Sequence, residues 1–578
     1  MKLLSLSLLL LTLAACTPHQ PSHTIAKPAA SDKSVVAALP TVDQLSNMQP
    51  EFLYLAAQKA SREGNRELAI RLLTALIDQD SAAIAPHMQL TNLLMQSGRI
   101  DEAEQHIAQL LSDKKIEGKP REELQMAQYR IIIARNQPVL ALKQLNAFLL
   151  QHPSHDTARN MQASVLAGLG RTEDALASIT TGIKHEESPT LRLLQAQILI
   201  KTGQLKRARI SLMRMQKLLP DNSTPVLMLS TLAMQSQHND EAENLLTTFL
   251  SDHPEDIRVS HTLAKLLIDQ HRLTEAILIY RKLLSYTGSS AATLRPLGML
   301  YFQDKAYKQA ANTFRTLLQL DASDTNRFYL AASMEAIGKK PEAITLYNQI
   351  KQASPIAVEA HIRLAALEAQ DGKTIQAEKR LTAILKEHPQ QLDAHLLLAS
   401  IRLDNKQYQK MLDETEPLLR LKKLPPQLLF NRAVAFEKFK QYSQIESTLN
   451  RLLKHSPNYA DALNFLGYTY AEQGIKLNRA GKLILRALRL KPDDGYYLDS
   501  LAWVYFKKGD YIKAAAAQKK AVKKITDDSV MQEHYGDILW KNGDPDAARI
   551  AWKKALTLTP DHADLIENKI KSGLPSVE

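Results

Sequence analysis

The chain has one cysteine, Cys16, in 578 residues. A lone thiol cannot close an intramolecular disulfide or supply a cysteine-rich zinc site, so packing alone must hold the fold. Long apolar runs are also missing. The most apolar segment, residues 3–13, is broken by Ser5, Ser7 and Thr12; a helix of about fifteen residues rises only about 22 Å, short of the ~30 Å of a bilayer core. Positive charge is plentiful, with 73 Lys and Arg against 61 Asp and Glu, yet it is scattered along the sequence. Scatter excludes the basic stripe of a nucleic-acid binder and reads as a solvated surface with some attraction to anionic lipid or acidic partners.

The signatures of catalysis are missing as well. There is no HExxH, no GxSxG, no GxxxxGK[ST], and no GxGxxG after a strand. The 17 histidines are dispersed, and His152, His253, His388 and His455 each precede a proline by one or two residues. At those places they are expected to cap helix carbonyls, whereas a metal needs three or four convergent donors. Asp493, Asp494, Asp527 and Asp528 fall in turns, where they suit the positive end of a helix. The sequence calls for no enzyme, no metal and no cofactor.

What is present begins at the N-terminus. Lys2, the apolar residues 3–13, the small pair Ala14 and Ala15, and then Cys16 have the layout of a secretory signal peptide. The box Leu13-Ala14-Ala15-Cys16 resembles the cleavage site of bacterial lipoproteins. That resemblance implies acylation of Cys16 and cleavage before it. Thr17, where inner-membrane retention would use aspartate, implies the outer membrane of a Gram-negative cell. Residues 1–15 are therefore expected to be a signal. Residues 16–49, with Pro18, Pro21, Pro28 and Pro40, are expected to be a lipidated flexible tether on the periplasmic face.

Beyond the tether, a pair of helical patterns recurs at a fixed period of about 34 residues. Ala502, Tyr505, Gly509, Tyr511, Ala514 and Ala521 are answered one period later by Gly536, Leu539, Gly543, Pro545, Ala548 and Ala555. Walking back at this period gives fifteen units, starting near residues 50, 84, 122, 156 and onward to 529. One interior position is alanine in thirteen of them, with Met411 and Ile445 as exceptions. Gly64, Gly98, Gly170, Gly203, Gly338, Gly372, Gly509 and Gly543 mark the turns. A small side chain lets two helices approach closely, and hairpins that cannot bury their own apolar faces must stack. The expected fold is all-α: a superhelical solenoid of about fifteen helical hairpins, with repeats over 50–424 and 425–560 and a capping helix over 561–578. The stretch 392–460 departs most from the pattern, and Met411 and Ile445 are expected to push their helices apart.

The pattern resembles tetratricopeptide repeats. By that resemblance the first helix of each unit lines a concave groove. In the last units it would present Asn464, Tyr468, Tyr496, Asp499, Trp503, Phe506, Asp537 and Trp540. Eight of the 18 tyrosines lie between 459 and 535 and all three tryptophans between 503 and 552, which points to a peptide-docking surface. Phe52 and Tyr54 are the corresponding candidates in the first unit, while Trp552 reads as core.

The run NFLGYTYAEQG, DDGYYLDSLAWVYFKKGDY and HYGDILWKNGD, in a long lipoprotein filled by repeats, resembles the proteobacterial tetratricopeptide lipoproteins that partner carboxyl-terminal processing proteases. That resemblance implies an adaptor that binds the protease and its protein substrates, such as cell-wall hydrolases, to promote proteolysis. It also implies protease contacts on the N-terminal part, membrane attachment through the lipid, and no nucleic acid. The alternative is an assembly lipoprotein for export of envelope polysaccharide, pili or outer-membrane proteins.

Overall fold

The computed structural model describes residues 48–421, 424–560 and 562–574. The signal, Cys16 and nearly all of the tether lie outside the described residues. The chain parts into two compact units, Met1–Leu245 and Leu246–Glu578, so the stretch around 425 lies inside the second.

Among the described residues there are thirty-one α-helices and no strand. The first unit contains α1 (Pro50–Arg62), α2 (Arg66–Gln79), α3 (Ile84–Gln96), α4 (Ile100–Ser112), α5 (Lys119–Ala134), α6 (Pro138–Gln151), α7 (Asp156–Gly168), α8 (Thr172–His185), α9 (Pro189–Lys201), α10 (Leu205–Leu218) and α11 (Ser223–Gln235). The boundary falls within α12 (Asn239–Asp252). The second unit continues with α13 (Ile257–Asp269), α14 (Leu273–Thr287), α15 (Ala291–Gln303), α16 (Tyr307–Leu320), α17 (Asp324–Ala336), α18 (Lys340–Asn348), α19 (Ala357–Gln370), α20 (Thr374–Glu387), α21 (Leu392–Asp404) and α22 (Tyr408–Thr415). It ends with α23 (Pro426–Lys438), α24 (Tyr442–His455), α25 (Ala460–Glu472), α26 (Leu477–Leu490), α27 (Gly495–Lys507), α28 (Tyr511–Lys524), α29 (Ser529–Lys541), α30 (Pro545–Thr557) and α31 (Ala563–Ser572). Odd and even numbers are the first and second helices of fifteen hairpins, with α31 added at the end. Within each unit a second helix packs on its own first helix and on the first helix of the next hairpin.

The hairpin turns share one geometry. The residue that ends each first helix is left-handed, and in eight turns it is a glycine named above, with φ between 74° and 88°. Six more turns place Asn136, Gln237, His271, Lys305, Lys406 or Lys440 there at φ 52–61°. The next N–H then reaches back five residues, as Arg99 does to the Leu94 carbonyl at 2.9 Å, and satisfies a helix end. Just over half of the first helices start on side-chain caps, among them Ser188, Asn222, Asp256, Ser290, Asp494 and Asp528, each accepting a backbone N–H of the first turn.

All fifteen residues at the repeated interior position are 0% exposed, from Ala69 through Ala548, including Met411 and Ile445. The two larger side chains face buried Ala399 and Ala433 on their first helices. Elsewhere the missing Cβ is on the first helix: a Cβ on Gly536 would stand 2.4 Å from the Trp552 ring.

The irregular stretch is visible as a broken second helix. Pro417 has no N–H to continue α22, and a 3-10 turn, Pro417–Arg420, follows. Buried Arg432 of α23 covers the break. It donates to the Leu412 carbonyl and to Thr415 Oγ1, both at 2.8 Å, and to Glu416. The unit that starts near 84 runs about four residues beyond the period, and the extra residues form a loop after α4, tied down by Arg121 donating to the Leu111, Asp113 and Ile116 carbonyls. The His152 and His253 rings stack on Phe148 and Phe249 one turn earlier, each at 4.5 Å.

Candidate functional site

On α25, Asn464, Tyr468 and Glu472 are four residues apart and share one stripe. On α27, Asp499, Trp503 and Phe506, and on α29 His534, Asp537 and Trp540, each share a stripe at spacings of three or four residues. The structure joins these stripes through side chains from neighbouring hairpins.

Trp503 is buried, with its indole N–H donating to Glu472 Oε2 at 2.9 Å. Its ring is sandwiched between Phe506 at 4.8 Å and His534 at 4.1 Å, with Lys507 Nζ 5.2 Å from its centre. Asp499 is buried and accepts from His534 Nδ1 at 3.1 Å and from Gln518 Nε2. Gln518 also donates to the Met531 carbonyl at 2.9 Å, so one amide ties α27, α28 and α29 together. Burial pulls the His534 imidazole down, but the carboxylates of Asp499, Asp537 and Glu472 push harder, and its pKa is raised.

Asp537 is also turned inward. It accepts from the Trp552 indole at 2.8 Å and from Lys569 Nζ of α31 at 2.7 Å, while Glu533 takes the same lysine at 2.6 Å. Burial lowers the Lys569 pKa, but these two carboxylates raise it overall. Trp540 lies 5.6 Å from Trp552 with the Arg549 guanidinium 5.3 Å from its ring centre. Gly573 closes over it, and a Cβ there would fall 1.9 Å from the indole.

These contacts correct the expectation that Asp499, Trp503 and Asp537 stand on an open groove, while Trp540 is half-buried. A carboxylate so little exposed needs hydrogen-bond partners, and here those partners are the neighbouring hairpin and the capping helix. The accessible part of the face is narrower. Tyr468 and Phe506 are half-buried, and Tyr496 is 44% exposed. Burial, then Glu472 and Asp499, push the Tyr468 hydroxyl up. Asn464 is half-buried, and its Oδ1 has no hydrogen-bond partner among the described residues. The strip that remains is amide, aromatic and carboxylate, suited to backbone amides and side chains of an extended polypeptide.

In the first unit Phe52 and Tyr54 diverge. Phe52 is 57% exposed and shares the outer side of α1 with exposed Leu55. Tyr54 is half-buried, and its hydroxyl accepts from Gln89 of α3 at 3.2 Å.

Sequence reasoning missed Glu472, Gln518, His534 and Lys569. One signal was available for Gln518: it occupies the same repeat position as core residue Trp552 of the next hairpin, so a polar group stands where the pattern demands an apolar one. Among the described residues no group of three or more His, Cys, Asp or Glu is placed to hold a metal, and no helix is long and apolar enough to cross a membrane.

Profiles of the family described as "Tetratricopeptide repeat" match residues 60–115, 227–292, 261–325 and 500–563. The chain is 28% identical over 215 residues to TPR repeat-containing protein PA4667 of Pseudomonas aeruginosa, covering 37% of this chain and 36% of that one. It is 22% identical over 287 residues to the human protein O-mannosyl-transferase TMTC3, covering 49% of this chain and 31% of that one. It thus spans about a third of the length of these curated relatives. Among solved structures, the APC/C hetero-tetramer Cut9–Hcn1 aligns over 93% of this chain and 99% of that one at 13% identity and a TM-score of 0.39. Naa15/Naa10 bound to HypK-THB aligns over 75% and 68% at 16% identity and a TM-score of 0.30. With fifteen hairpins repeating about every 34 residues and these profile matches, the chain is an all-α tetratricopeptide-repeat solenoid.

Proposed function

We propose that the chain is a non-enzymatic scaffold that binds other polypeptides. More finely, we read it as an adaptor anchored in the outer membrane through an acylated Cys16, bringing a periplasmic carboxyl-terminal processing protease together with its protein substrates. The observation that carries the scaffold reading is the accessible strip of Asn464, Tyr468, Tyr496 and Phe506 beside Glu472. The exposed pair Phe52 and Leu55 supports a second contact, at the protease end. The finer reading rests on the sequence resemblance to the adaptor lipoproteins.

Crosslinking and pull-down from cell envelopes test it. The unaltered chain is expected to capture a serine protease of the carboxyl-terminal processing class together with a wall hydrolase. Tyr468→Ala with Phe506→Ala is expected to lose the hydrolase about tenfold and keep the protease, and Phe52→Asp with Leu55→Asp to lose the protease, at unchanged helical circular dichroism. Cys16→Ser is expected to release the protein from membranes. Capture of a channel or pilus subunit in place of the protease, or equal capture by all variants, refutes the adaptor reading.

A further inference from the structure

The second helices of the last three hairpins carry cations almost without acids. α26 holds Arg479, Lys482, Arg486 and Arg489 and no carboxylate; α28 holds five lysines and none; α30 has Asp546 alone. The constant repeat period sets these side chains in register. The outermost stripe of each helix, at steps of four, three and four residues, reads Asn478, Lys482, Leu485 and Arg489 on α26. It reads Ile512, Ala516, Lys519 and Lys523 on α28, then Asp546, Ile550, Lys553 and Thr557 on α30. All twelve are exposed. Lys520 and Lys554, also exposed, stand beside the stripe on two of the helices. Of the ion pairs formed by these helices, Lys513–Asp510 and Lys524–Asp493 use other side chains, and Arg549–Asp546 engages the one acid of the three stripes. On the first helices of the same hairpins Asp461, Asp499, Glu533 and Asp537 are already paired with Lys491, His534 and Lys569, so the unpaired cations of the second helices are not offset from within their own hairpins.

We infer that this second-helix face docks onto an anionic phospholipid surface. Each stripe pairs its cations with one solitary aliphatic side chain: Leu485, Ile512 at 78% exposure and Ile550 at 70%. Lysine is a hydrated point charge on a long apolar stem, attracted by a diffuse negative plane and able to let a neighbouring aliphatic group dip into the headgroups. A protein partner would favour aromatic and arginine anchors, and lysine is depleted at such interfaces. A nucleic acid would want aromatic rings for stacking, and the stripes have none. The accessible strip of Tyr468 and Phe506 is on the first helices, so contact through the second-helix face leaves it clear of the lipid.

The inference does not depend on the acyl anchor, and its test removes the anchor. The chain from residue 16 carrying Cys16→Ser is sedimented with vesicles of phosphatidylcholine, with or without about one third phosphatidylglycerol, at about 0.05 M and about 0.5 M salt. Binding is expected to be at least about tenfold tighter to the anionic vesicles at low salt and to fall away at high salt. Lys482→Glu, Lys519→Glu, Lys523→Glu and Lys553→Glu together are expected to abolish that preference. The same number of exposed lysines changed elsewhere in the second unit, Lys265, Lys351, Lys379 and Lys386 to Glu, is expected to keep most of it. Equal binding by the two variants, no preference for anionic vesicles, or capture by polyglutamate beads with no vesicle binding would each overturn the proposal.

Discussion

Gly536 shows how much depends on one absent methyl group. Its Cα faces the Trp552 indole so closely that any Cβ would overlap the ring. Gly536→Ala is therefore expected to cost about 1–3 kcal/mol by overpacking, read as a lower urea midpoint of the last hairpins. The repeated interior alanines are equally exacting, and this was legible in advance because a fixed spacing and a small residue report the same close approach. The roles of Asp499 and Trp503 were less legible. Helical spacing tells which side of α27 they leave from, but the partners that enclose them, His534, Gln518 and Glu472, arrive from other hairpins.

Among the elements, α22 shows a defect and its repair. Pro417 ends the helix early, and the guanidinium of Arg432 satisfies the carbonyl and hydroxyl at its end. Arg432→Ala would leave the Leu412 carbonyl with only the 3.3 Å bond from Thr415 Oγ1 and Glu416 without its cation. The expected loss is about 2 kcal/mol, together with faster amide exchange in α22 and α23 while the first unit is unchanged. The sequence marked this stretch as irregular through Met411 and Ile445. It did not reveal the repair, since an arginine on an apolar helix face ordinarily reads as a surface residue. The hairpin turns were legible where they use glycine; where Lys305 or Lys440 takes the left-handed position, only the repeat register locates the turn.

For the whole chain, charge that looks scattered along the sequence is gathered by the fold, because side chains one repeat apart become neighbours in register. Titration should also divide the molecule. In the first unit, burial and the adjacent His87, 3.0 Å away, push His106 down to about 4. Its unfolded form takes up a proton near 6.5, so α4 is expected to lose protection as pH falls from about 6.5 toward 4. In the second unit His534 is raised, so its contribution is full below about 6.5 and is lost as pH rises through the folded value. Amide exchange, corrected for its intrinsic pH dependence, is expected to show α29 loosening toward alkaline pH, and His534→Asn is expected to remove that slope. The constancy of the repeat step has a genetic corollary. Losing or duplicating one whole step inside a unit would bring like surfaces against like and leave a shorter or longer protein. An indel of any other size within a helix would rotate every side chain beyond it, so evolutionary change in length is effectively quantised.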